Sequence, residues 1–423
     1  MDIRVLFLTI AEVVFAYWLL IRSGLLDSRI RIAAAVVLLL AAFLFRVYVL
    51  DYQTFDYRDF LSRWVDYFRT SGGFSALAGS VGNYNIPYLY FLAAFSYSTI
   101  PDLYLIKLLS IFFDIILAYS SEQLLGLLGK SKTRRLVLFF AVLFWPTVFL
   151  NGSLWGQCDS IYVSLALLSI YLVLDGRPSL GMTAIALSFG FKLQAVFLMP
   201  IFAVFLFQGK IRWKHLFVFP LCYLALVLPA VLIGRPFLET ITLYFNQAGS
   251  IGSGLNYNSP SLFALWDHRA VADSVAMSKA GIVAAFSFMS VLLLHSFLRR
   301  KDLNLRCLLL LSCLFALGIP FLLPHMHDRY FYAADILTLI LAFELPKTIP
   351  CAILTEFASL LGYHAYLKLQ YLFLMDRGTI ANAVSLFVLL TVYFLQFSSV
   401  RKRRVSQQTY DHLANEQIPE SEN

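Results

Sequence analysis

Residues 33–50 read AAAVVLLLAAFLFRVYVL, an apolar run long enough to cross a hydrocarbon core of about 30 Å as a helix. Runs of similar length and character recur from one end of the chain to the other. Of the 423 residues, 60% are hydrophobic and only 14% are charged, whereas roughly a quarter of the residues are charged in soluble globular proteins. The sequence therefore predicts an all-α, polytopic transmembrane protein.

Basic residues are concentrated in the short connections between these runs, which the positive-inside rule places in the cytoplasm. Five such connections carry them: Arg22 to Arg31, Lys130 to Arg135, Lys210 to Lys214, Arg299 to Arg306, and the RKRR at 401–404. The net charge of +8 is thus explained by membrane orientation and does not indicate nucleic-acid binding. The same assignment predicts an outside N-terminus and an inside C-terminal tail.

With those connections inside, we expect about 11–13 membrane helices in one domain covering residues 1–400. The expected spans are 6–21, 33–50, 103–126, 136–150, 159–174, a short pair within 180–207, 216–234, 280–297, 306–323, 331–344, 349–373 and 379–398. The tail, 401–423, is basic and polar, and its composition predicts disorder.

Two long outer loops remain, 51–102 and 235–279, with a short one at 374–378. The first loop is aromatic, and Phe60, Trp64 and Phe68 recur at helical spacing, which predicts an interfacial helix over 59–68. The apolar stretch 86–98 is too short to cross a membrane and predicts a second interfacial helix in the same loop.

The first outer loop also begins with the acidic stretch DYQTFDYRDF at 51–60. Asp56 and Asp59 are candidates for a general base that takes a proton from an attacking hydroxyl group. The alternative is that these carboxylates only provide favourable negative charge at a helix N-terminus. Since residues three apart share one face of an α-helix, the spacing does not separate Asp56 from Asp59.

Two further polar stretches lie at or near the outer ends of spans. In NGSLWGQCDS, 151–160, the residues Trp155, Gln157 and Asp159 either bind a sugar or cap the next helix. In FKLQ, Lys192 and Gln194 interrupt an apolar run, where a charge costs about 2.5–3.5 kcal/mol at membrane depth and marks a functional candidate. The alternative is that Lys192 snorkels, extending its charged end from the apolar run to the outer interface.

The last polar stretch is PHMHDRY, 324–330. Arg329 has a permanent charge and forked donors that match a phosphate group, and His327 adds a second donor. The alternative is a divalent metal bound by His325, His327 and Asp328, since imidazole and carboxylate are both zinc ligands.

In this order, these segments resemble the GT-C superfamily of polyprenyl-phosphate-sugar glycosyltransferases, specifically the bacterial branch related to the second mannosyltransferase of GPI-anchor synthesis. The resemblance covers about 50–335. It rests on Asp56, Phe60 and Trp64, on NYNIPYLY at 83–90, on WGQCDS at 155–160, on Lys192 and Gln194, on Asn256 and Asn258 before Trp266, and on MHDRY at 326–330. Here Asn83, Asn85 and Ile86 stand where the family has Asp and two prolines, and Asp328 stands for Glu.

The resemblance implies an inverting transfer of a hexose, mannose or glucose, from a polyprenyl-phosphate-linked donor to a glycan, lipid-linked or protein acceptor. The enzyme would be integral to a bacterial plasma membrane, act on its non-cytoplasmic face and contribute to cell-envelope glycans, and it would require no cofactor. Asp56 or Asp59 would be the base, and Arg329, His327 and Lys192 would bind the donor phosphate. The sugar or the acceptor would contact Tyr84, Trp155, Gln157, Asp159, Gln194, Asn256, Asn258 and Asp328.

Three other functions remain open at the level of sequence. A transporter or lipid-linked glycan flippase would also be polytopic, with polar residues along a pathway through its spans. A metal-dependent membrane hydrolase would use the histidines of PHMHDRY. A scaffold would have no reason to gather Asp, Lys, His and Arg at one face.

Overall fold

A computed structural model describes residues 2–244, 254–266 and 274–416, and side chains as far as residue 397. The described chain is mainly helical. Its α-helices are α1 Ile3–Arg22, α2 Arg29–Tyr48, α3 Ser62–Thr70, α4 Ile86–Phe95, α5 Asp102–Leu127, α6 Lys132–Phe144, α7 Pro146–Val148, α8 Asp159–Leu174, α9 Pro178–Phe191, α10 Pro200–Phe207, α11 Trp213–Leu216, α12 Val218–Ile233, α13 Phe237–Ile241, α14 Ser274–Leu298, α15 Leu305–Leu322, α16 Tyr332–Glu344, α17 Ile349–Lys368 and α18 Met375–Glu416.

Shorter elements join these helices. Two are π-helical turns, Tyr57–Leu61 and Phe149–Trp155, and four are 3-10 turns, Gly73–Ala78, Leu193–Phe197, Leu262–Leu265 and Pro346–Thr348. The described residues contain two strands of two residues each, β1 Asn256–Tyr257 and β2 Met326–His327, which pair in parallel. Both π-helical turns carry predicted site residues or adjoin them.

Seven described helical stretches are long and apolar enough to cross a membrane, which supports the prediction of a polytopic all-α protein. They are Ile3–Arg22, Arg29–Tyr48, Asp102–Leu127, Trp213–Ile233, Ser274–Leu298, Leu305–Leu322 and Met375–Phe397. An eighth is formed if the bent pair Lys132–Phe144 and Pro146–Trp155 is one span. Several of the remaining predicted spans are helices of 10–17 residues, among them α8 and α9.

The core of the bundle is formed by α5, α8, α15 and α16, whose apolar side chains are mostly buried. By contrast, α12 and α14 expose most of their apolar side chains, as expected for helices that face lipid. A second apolar cluster packs the first outer loop against the bundle through Val65, Phe68 and Leu89. That loop is therefore a structured layer over one end of the helices.

Both helices predicted in the first outer loop are present. The first consists of a π-helical turn from Tyr57 followed by α3, and the second is α4. The short pair predicted within 180–207 is also present, since the helical chain breaks at the extended residue Lys192.

Three boundaries differ from the sequence prediction. The span predicted at 136–150 bends by 45° at Trp145, because Pro146 has no N–H to continue the helix. The predicted span 349–373 ends at Lys368, so the outer connection is 369–374 and not 374–378. The last predicted span, 379–398, lies within α18, which continues to Glu416, because a helix already formed by an apolar span can propagate through charged residues.

Candidate active site

The first outer loop is tied to the bundle at its start. Lys107, fully buried on α5, donates from Nζ to the carbonyl oxygens of Val49, Leu50 and Tyr52, at 3.0, 2.9 and 2.7 Å. Two residues further on, the Thr54 hydroxyl donates to the Trp155 carbonyl oxygen at 3.1 Å. These bonds satisfy the carbonyls left open where α2 ends, and they set the position of Asp56.

Asp56 is partly buried and its carboxylate is held by two donors. Trp155 Nε1 and Gln157 Nε2 both donate to Oδ2, at 2.9 and 2.6 Å. The Asp56 backbone N–H donates to the Tyr366 hydroxyl at 2.9 Å. The two donors share one oxygen, Oδ2, and they fix the orientation of the carboxylate.

Asp59 is placed differently. Its side chain is exposed and its carboxylate lies 3.6 Å from Arg63 on the same helix. The intervening residues form a π-helical turn, which is wider than an α-helical one, so residues three apart no longer share a face. Of the two predicted bases, the structure brings only Asp56 to Trp155 and Gln157.

Trp155 and Gln157 lie on either side of a sharp turn at the end of the π-helical segment. Gly156 has φ +79°, a left-handed conformation that favours glycine, and the Gln157 N–H bonds back to the Asn151 carbonyl at 2.9 Å. Trp155 is fully buried, and its ring stacks on Tyr366 with centroids 3.9 Å apart. The indole is therefore held rigidly between the bundle and the first loop.

The break before this segment leaves two backbone groups without helical partners, and ionisable side chains bind both. Arg46 on α2 donates from Nη2 to the Leu143 carbonyl at 2.9 Å and pairs with Asp114 at 3.1 Å. Glu356 on α17 accepts the Thr147 N–H at 2.8 Å and the Thr147 hydroxyl at 2.9 Å. The bend that aims the segment at Asp56 is thus fixed from two sides.

Asp159 and Lys192 form a buried ion pair, with Nζ 2.5 Å from Oδ1. The other carboxylate oxygen accepts from Asn151 Nδ2 at 2.9 Å and lies 3.6 Å from Arg329 Nε. Lys192 is thus brought to the site, where it contacts Asp159. The Asn151 amide also donates to the Tyr363 hydroxyl at 2.9 Å.

The PHMHDRY loop is anchored by the two short strands. His325, at φ +62°, donates its N–H to the Leu255 carbonyl at 2.7 Å, and its ring nitrogens lie 2.7 Å from the Gly254 carbonyl and 3.1 Å from the Ser278 hydroxyl. With both nitrogens engaged, His325 has a structural role in the loop. His327 stacks on Tyr257, centroids 4.7 Å apart, and faces Tyr330.

Arg329 lies over the Trp155 ring, with Cζ 5.1 Å from the indole centroid, a cation–π distance. Its contacts with two carboxylates are long. Asp328 Oδ1 is 3.4 Å from Nη1, and Asp159 Oδ2 is 3.6 Å from Nε. Nε is buried and has no hydrogen-bond acceptor among the described residues. The guanidinium therefore keeps donor capacity for an anion.

Burial shapes the protonation states of the two residues before Arg329. Desolvation lowers the pKa of His327 to about 4, assisted by the charges of Arg329 and Lys192, so the imidazole is neutral at pH 7. Desolvation also raises the pKa of Asp328 to about 7, against the opposing effect of Arg329. Near neutral pH, Asp328 therefore does not fully cancel the charge of Arg329.

The remaining predicted site residues fall into two groups. Tyr84 donates to Gln157 Oε1 at 3.2 Å and Gln194 lies beside the Tyr330 hydroxyl, so both join the site. Asn256 instead closes its own turn, because its side-chain amide both donates to and accepts from the backbone of Ser259. Asn258 has a left-handed backbone, with φ +55°, and its side-chain oxygen accepts a hydrogen bond from the Tyr371 hydroxyl. The side-chain contacts of these two asparagines therefore hold the loop itself in shape.

A glycine permits this loop to approach the bundle. A Cβ at Gly362 on α17 would lie 2.8 Å from the Asn258 carbonyl oxygen and 3.0 Å from Asp328 Cβ. Any larger residue would push the PHMHDRY loop away from Tyr363 and Tyr366. Among the described residues, no three His, Cys, Asp or Glu side chains are grouped as metal ligands would be.

Sequence reasoning missed several residues of the site. Tyr363 and Tyr366 lie beyond the region of resemblance, on a helix whose aromatic residues look like ordinary apolar packing. The sequence does offer a way to find three others, because an ionisable residue within an apolar span is a functional or structural candidate by default. These residues are Arg46, Lys107 and Asp114.

The site lies at the end of the bundle opposite the basic connections. Lys130 and Arg306 both pair with Glu344, at 2.8 and 2.7 Å, where α16 ends, whereas α16 begins at Tyr332 beside the site. Thirteen helical residues rise by about 20 Å, so the polar cluster and the basic connections are at opposite ends of the helices.

No protein-family model matches the chain, and no curated protein matches it significantly.

Proposed function

We propose that the protein is a membrane glycosyltransferase that moves a hexose from a polyprenyl-phosphate-linked donor to an acceptor hydroxyl. The observation that carries the proposal is the convergence of an oriented carboxylate and an incompletely paired guanidinium on one indole. Asp56 accepts from Trp155 Nε1, and Arg329 lies against the same ring. A base and an anion site held this close are what glycosyl transfer from a phosphate requires.

In the proposed reaction, the Asp56 carboxylate takes the proton of the acceptor hydroxyl. The hydroxyl oxygen forms the new bond to C1 of the hexose, and the bond from C1 to the phosphate oxygen breaks with its electron pair. Because one displacement occurs, the configuration at C1 inverts. The products are the glycosylated acceptor and the polyprenyl phosphate, and the proton on Asp56 passes to water.

Arg329 would stabilise the negative charge that develops on the departing phosphate, which is commonly the largest catalytic contribution. His327, neutral at pH 7, would donate one hydrogen bond to the same phosphate without adding a charge. Lys192 would act mainly through Asp159, since its Nζ is already paired there. Tyr84 and Gln157 would contact the sugar or the acceptor.

A polytopic fold suits such a donor, because the polyprenyl chain remains in the bilayer while its phosphate reaches the polar end of the bundle. By the positive-inside rule that end is non-cytoplasmic, since the basic connections lie at the other end. The resemblance of the sequence segments to the GT-C superfamily supports the same assignment.

One observation favours a second candidate, a transporter or flippase. Arg46, Asp114 and Glu12 are buried together within apolar helices, and ionisable groups at that depth often mark a transport pathway. Arg46, however, also donates to the carbonyl oxygens of Ala42 and Leu143, which is a structural use of its charge.

The two candidates differ in covalent chemistry. Purified protein would be supplied with polyprenyl-phosphate-mannose or polyprenyl-phosphate-glucose, each labelled in the sugar, together with membrane-derived acceptors. A glycosyltransferase separates the label from the lipid phosphate and transfers it to acceptor. A flippase moves the intact donor across vesicle membranes and leaves the sugar–phosphate bond unbroken, which would overturn the proposal.

A further inference from the structure

A groove of about 650 Å³ lies at the basic end of the bundle, between α6, α16 and α17. This volume is within the range of pockets that bind small molecules and cofactors. Its walls are apolar, formed by Leu339, Ala342, Phe343, Ile349 and Ile353. Ile349 and Ile353 expose about half of their side chains, so the groove opens sideways, toward the region that a bilayer would occupy.

The polar end of the groove is formed by Ser131, Thr133 and Arg134. Three of the four basic residues in this connection have carboxylate partners. Lys130 pairs with Glu344 at 2.8 Å, Lys132 with Asp27 at 2.9 Å and Arg135 with Glu122 at 2.6 Å. Within the part of the chain that the structure describes, Arg134 forms no ion pair, and its Nη1 has only the Phe343 carbonyl at 3.5 Å.

We propose that this groove binds an anionic phospholipid, with an acyl chain along the apolar wall and the phosphate at Arg134. A guanidinium is well suited to bidentate phosphate binding, and the apolar wall gains by covering its exposed side chains. The charge at the mouth distinguishes the site from the general lipid-facing surface, which would accept zwitterionic lipids equally.

The groove also touches the bend that positions the candidate site. Trp145, where α6 ends, lines the groove, and two residues later Thr147 is held by Glu356. A lipid in the groove would therefore pack against the start of the segment that carries Asn151 and Trp155. Binding should stabilise this bend, so anionic phospholipid is expected to raise the thermal stability of the protein. The inference does not depend on the proposed transferase activity.

The test uses the full chain reconstituted in nanodiscs that contain equal amounts of phosphatidylglycerol and phosphatidylcholine. Native mass spectrometry after detergent extraction counts the retained lipids of each class. Wild type is expected to retain phosphatidylglycerol several-fold over phosphatidylcholine. Arg134→Gln should lose that preference, whereas the matched control Lys132→Gln, a change in the same connection, should keep it.

A second variant and a spectroscopic readout locate the lipid. Ala342→Phe fills the groove and should remove the retained phosphatidylglycerol even though Arg134 is present. In a background in which the exposed tryptophans Trp18, Trp213 and Trp266 are replaced by Phe, phosphatidylglycerol with brominated acyl chains should quench tryptophan fluorescence, and the further change Trp145→Phe should remove most of that quenching.

Three results would overturn the proposal. The first is equal retention of the two lipid classes by wild type. The second is an equal loss of preference in Arg134→Gln and Lys132→Gln, which would indicate only general surface charge. The third is unchanged retention in Ala342→Phe, which would place the lipid elsewhere.

Discussion

The Gln157 side-chain amide donates to Asp56 Oδ2 at 2.6 Å, joining two loops whose residues are 101 positions apart in the chain. Trp155 Nε1 binds the same oxygen, so two residues of one tight turn orient the proposed base. The turn is itself fixed by the left-handed Gly156 and by the bend at Trp145. The position of Asp56 is therefore set by the fold of a distant segment.

Gln157 can be tested by two substitutions that differ in charge. Gln157→Met removes one of two donors to Asp56 and is expected to lower kcat about 10- to 100-fold, with a smaller change in KM. Gln157→Glu places a second carboxyl group against Asp56, and two carboxyl groups at this distance share a proton near neutral pH. Its activity should therefore shift to higher pH. Identical pH profiles for the two variants would contradict this positioning role.

The Asp159–Lys192 pair is expected to be a stability element as well as part of the site. Lys192→Met leaves the buried Asp159 carboxylate with only the more distant Arg329, 3.6 Å from Oδ2, and should lower the free energy of unfolding by up to about 3–5 kcal/mol. The double variant Asp159→Asn, Lys192→Met removes the uncompensated charge and should recover a large part of that loss. Thermal unfolding in detergent measures both, and an additive effect of the two substitutions would show that they do not interact.

Glu356 should act on the bend at Trp145. Glu356→Leu leaves the buried Thr147 N–H without an acceptor, at a cost of about 1–3 kcal/mol, and should lower transferase activity by displacing Trp155. Glu356→Gln retains an amide oxygen for the Thr147 N–H and should be close to wild type in both measurements. Equal losses in the two variants would indicate that the negative charge, and not the hydrogen bond to Thr147, is what matters.

Asp328 gives a prediction for pH dependence. Its pKa is raised to about 7 from an ordinary value near 3.8, so the folded state binds more protons than the unfolded state between these limits. Its contribution to stability therefore falls as pH rises from about 4 to about 7. Asp328→Asn removes this contribution, and the Tm of the variant should rise relative to wild type across that window.

His327 also titrates in this range, but its pKa is lowered, so its contribution to stability changes with pH in the opposite direction. It is present in both proteins, so it cancels in the difference between them. A difference in Tm that stays constant from pH 4 to pH 8 would contradict the raised pKa of Asp328.

The membrane fold could be predicted from the sequence because hydrocarbon thickness sets the length of an apolar run, as at residues 33–50. Breaks inside spans were harder to place. The bend at Trp145 depends on whether buried partners exist for Leu143 and Thr147, and those partners, Arg46 and Glu356, come from remote helices. The extension of α18 past the predicted end at 398 was missed because hydropathy marks where an apolar run stops and not where the helix ends.

Within the site, the order of the motifs predicted six residues that the structure brings together. They are Asp56, Trp155, Gln157, Asp159, Lys192 and Arg329. Helical spacing did not separate Asp56 from Asp59, because the intervening turn is π-helical and nothing in its sequence indicates this. Asn256 and Asn258 were predicted to bind substrate, yet their side chains are occupied by Ser259 and Tyr371. Asparagine is favoured both in tight turns and in ligand-binding sites, so the sequence does not separate the two roles at these positions.

The most direct test of the central claim compares Asp56→Asn with Asp59→Asn in the labelled-donor assay. Both substitutions remove one carboxylate from the same loop, so they are matched in charge and in chemistry. Asp56→Asn should lower the rate of sugar transfer by about 100-fold or more, as expected for loss of a general base, with donor binding retained. Asp59→Asn, exposed and paired only with Arg63, should be close to wild type. Equal activity in the two variants, or loss in Asp59→Asn alone, would contradict the assignment of Asp56 as the base.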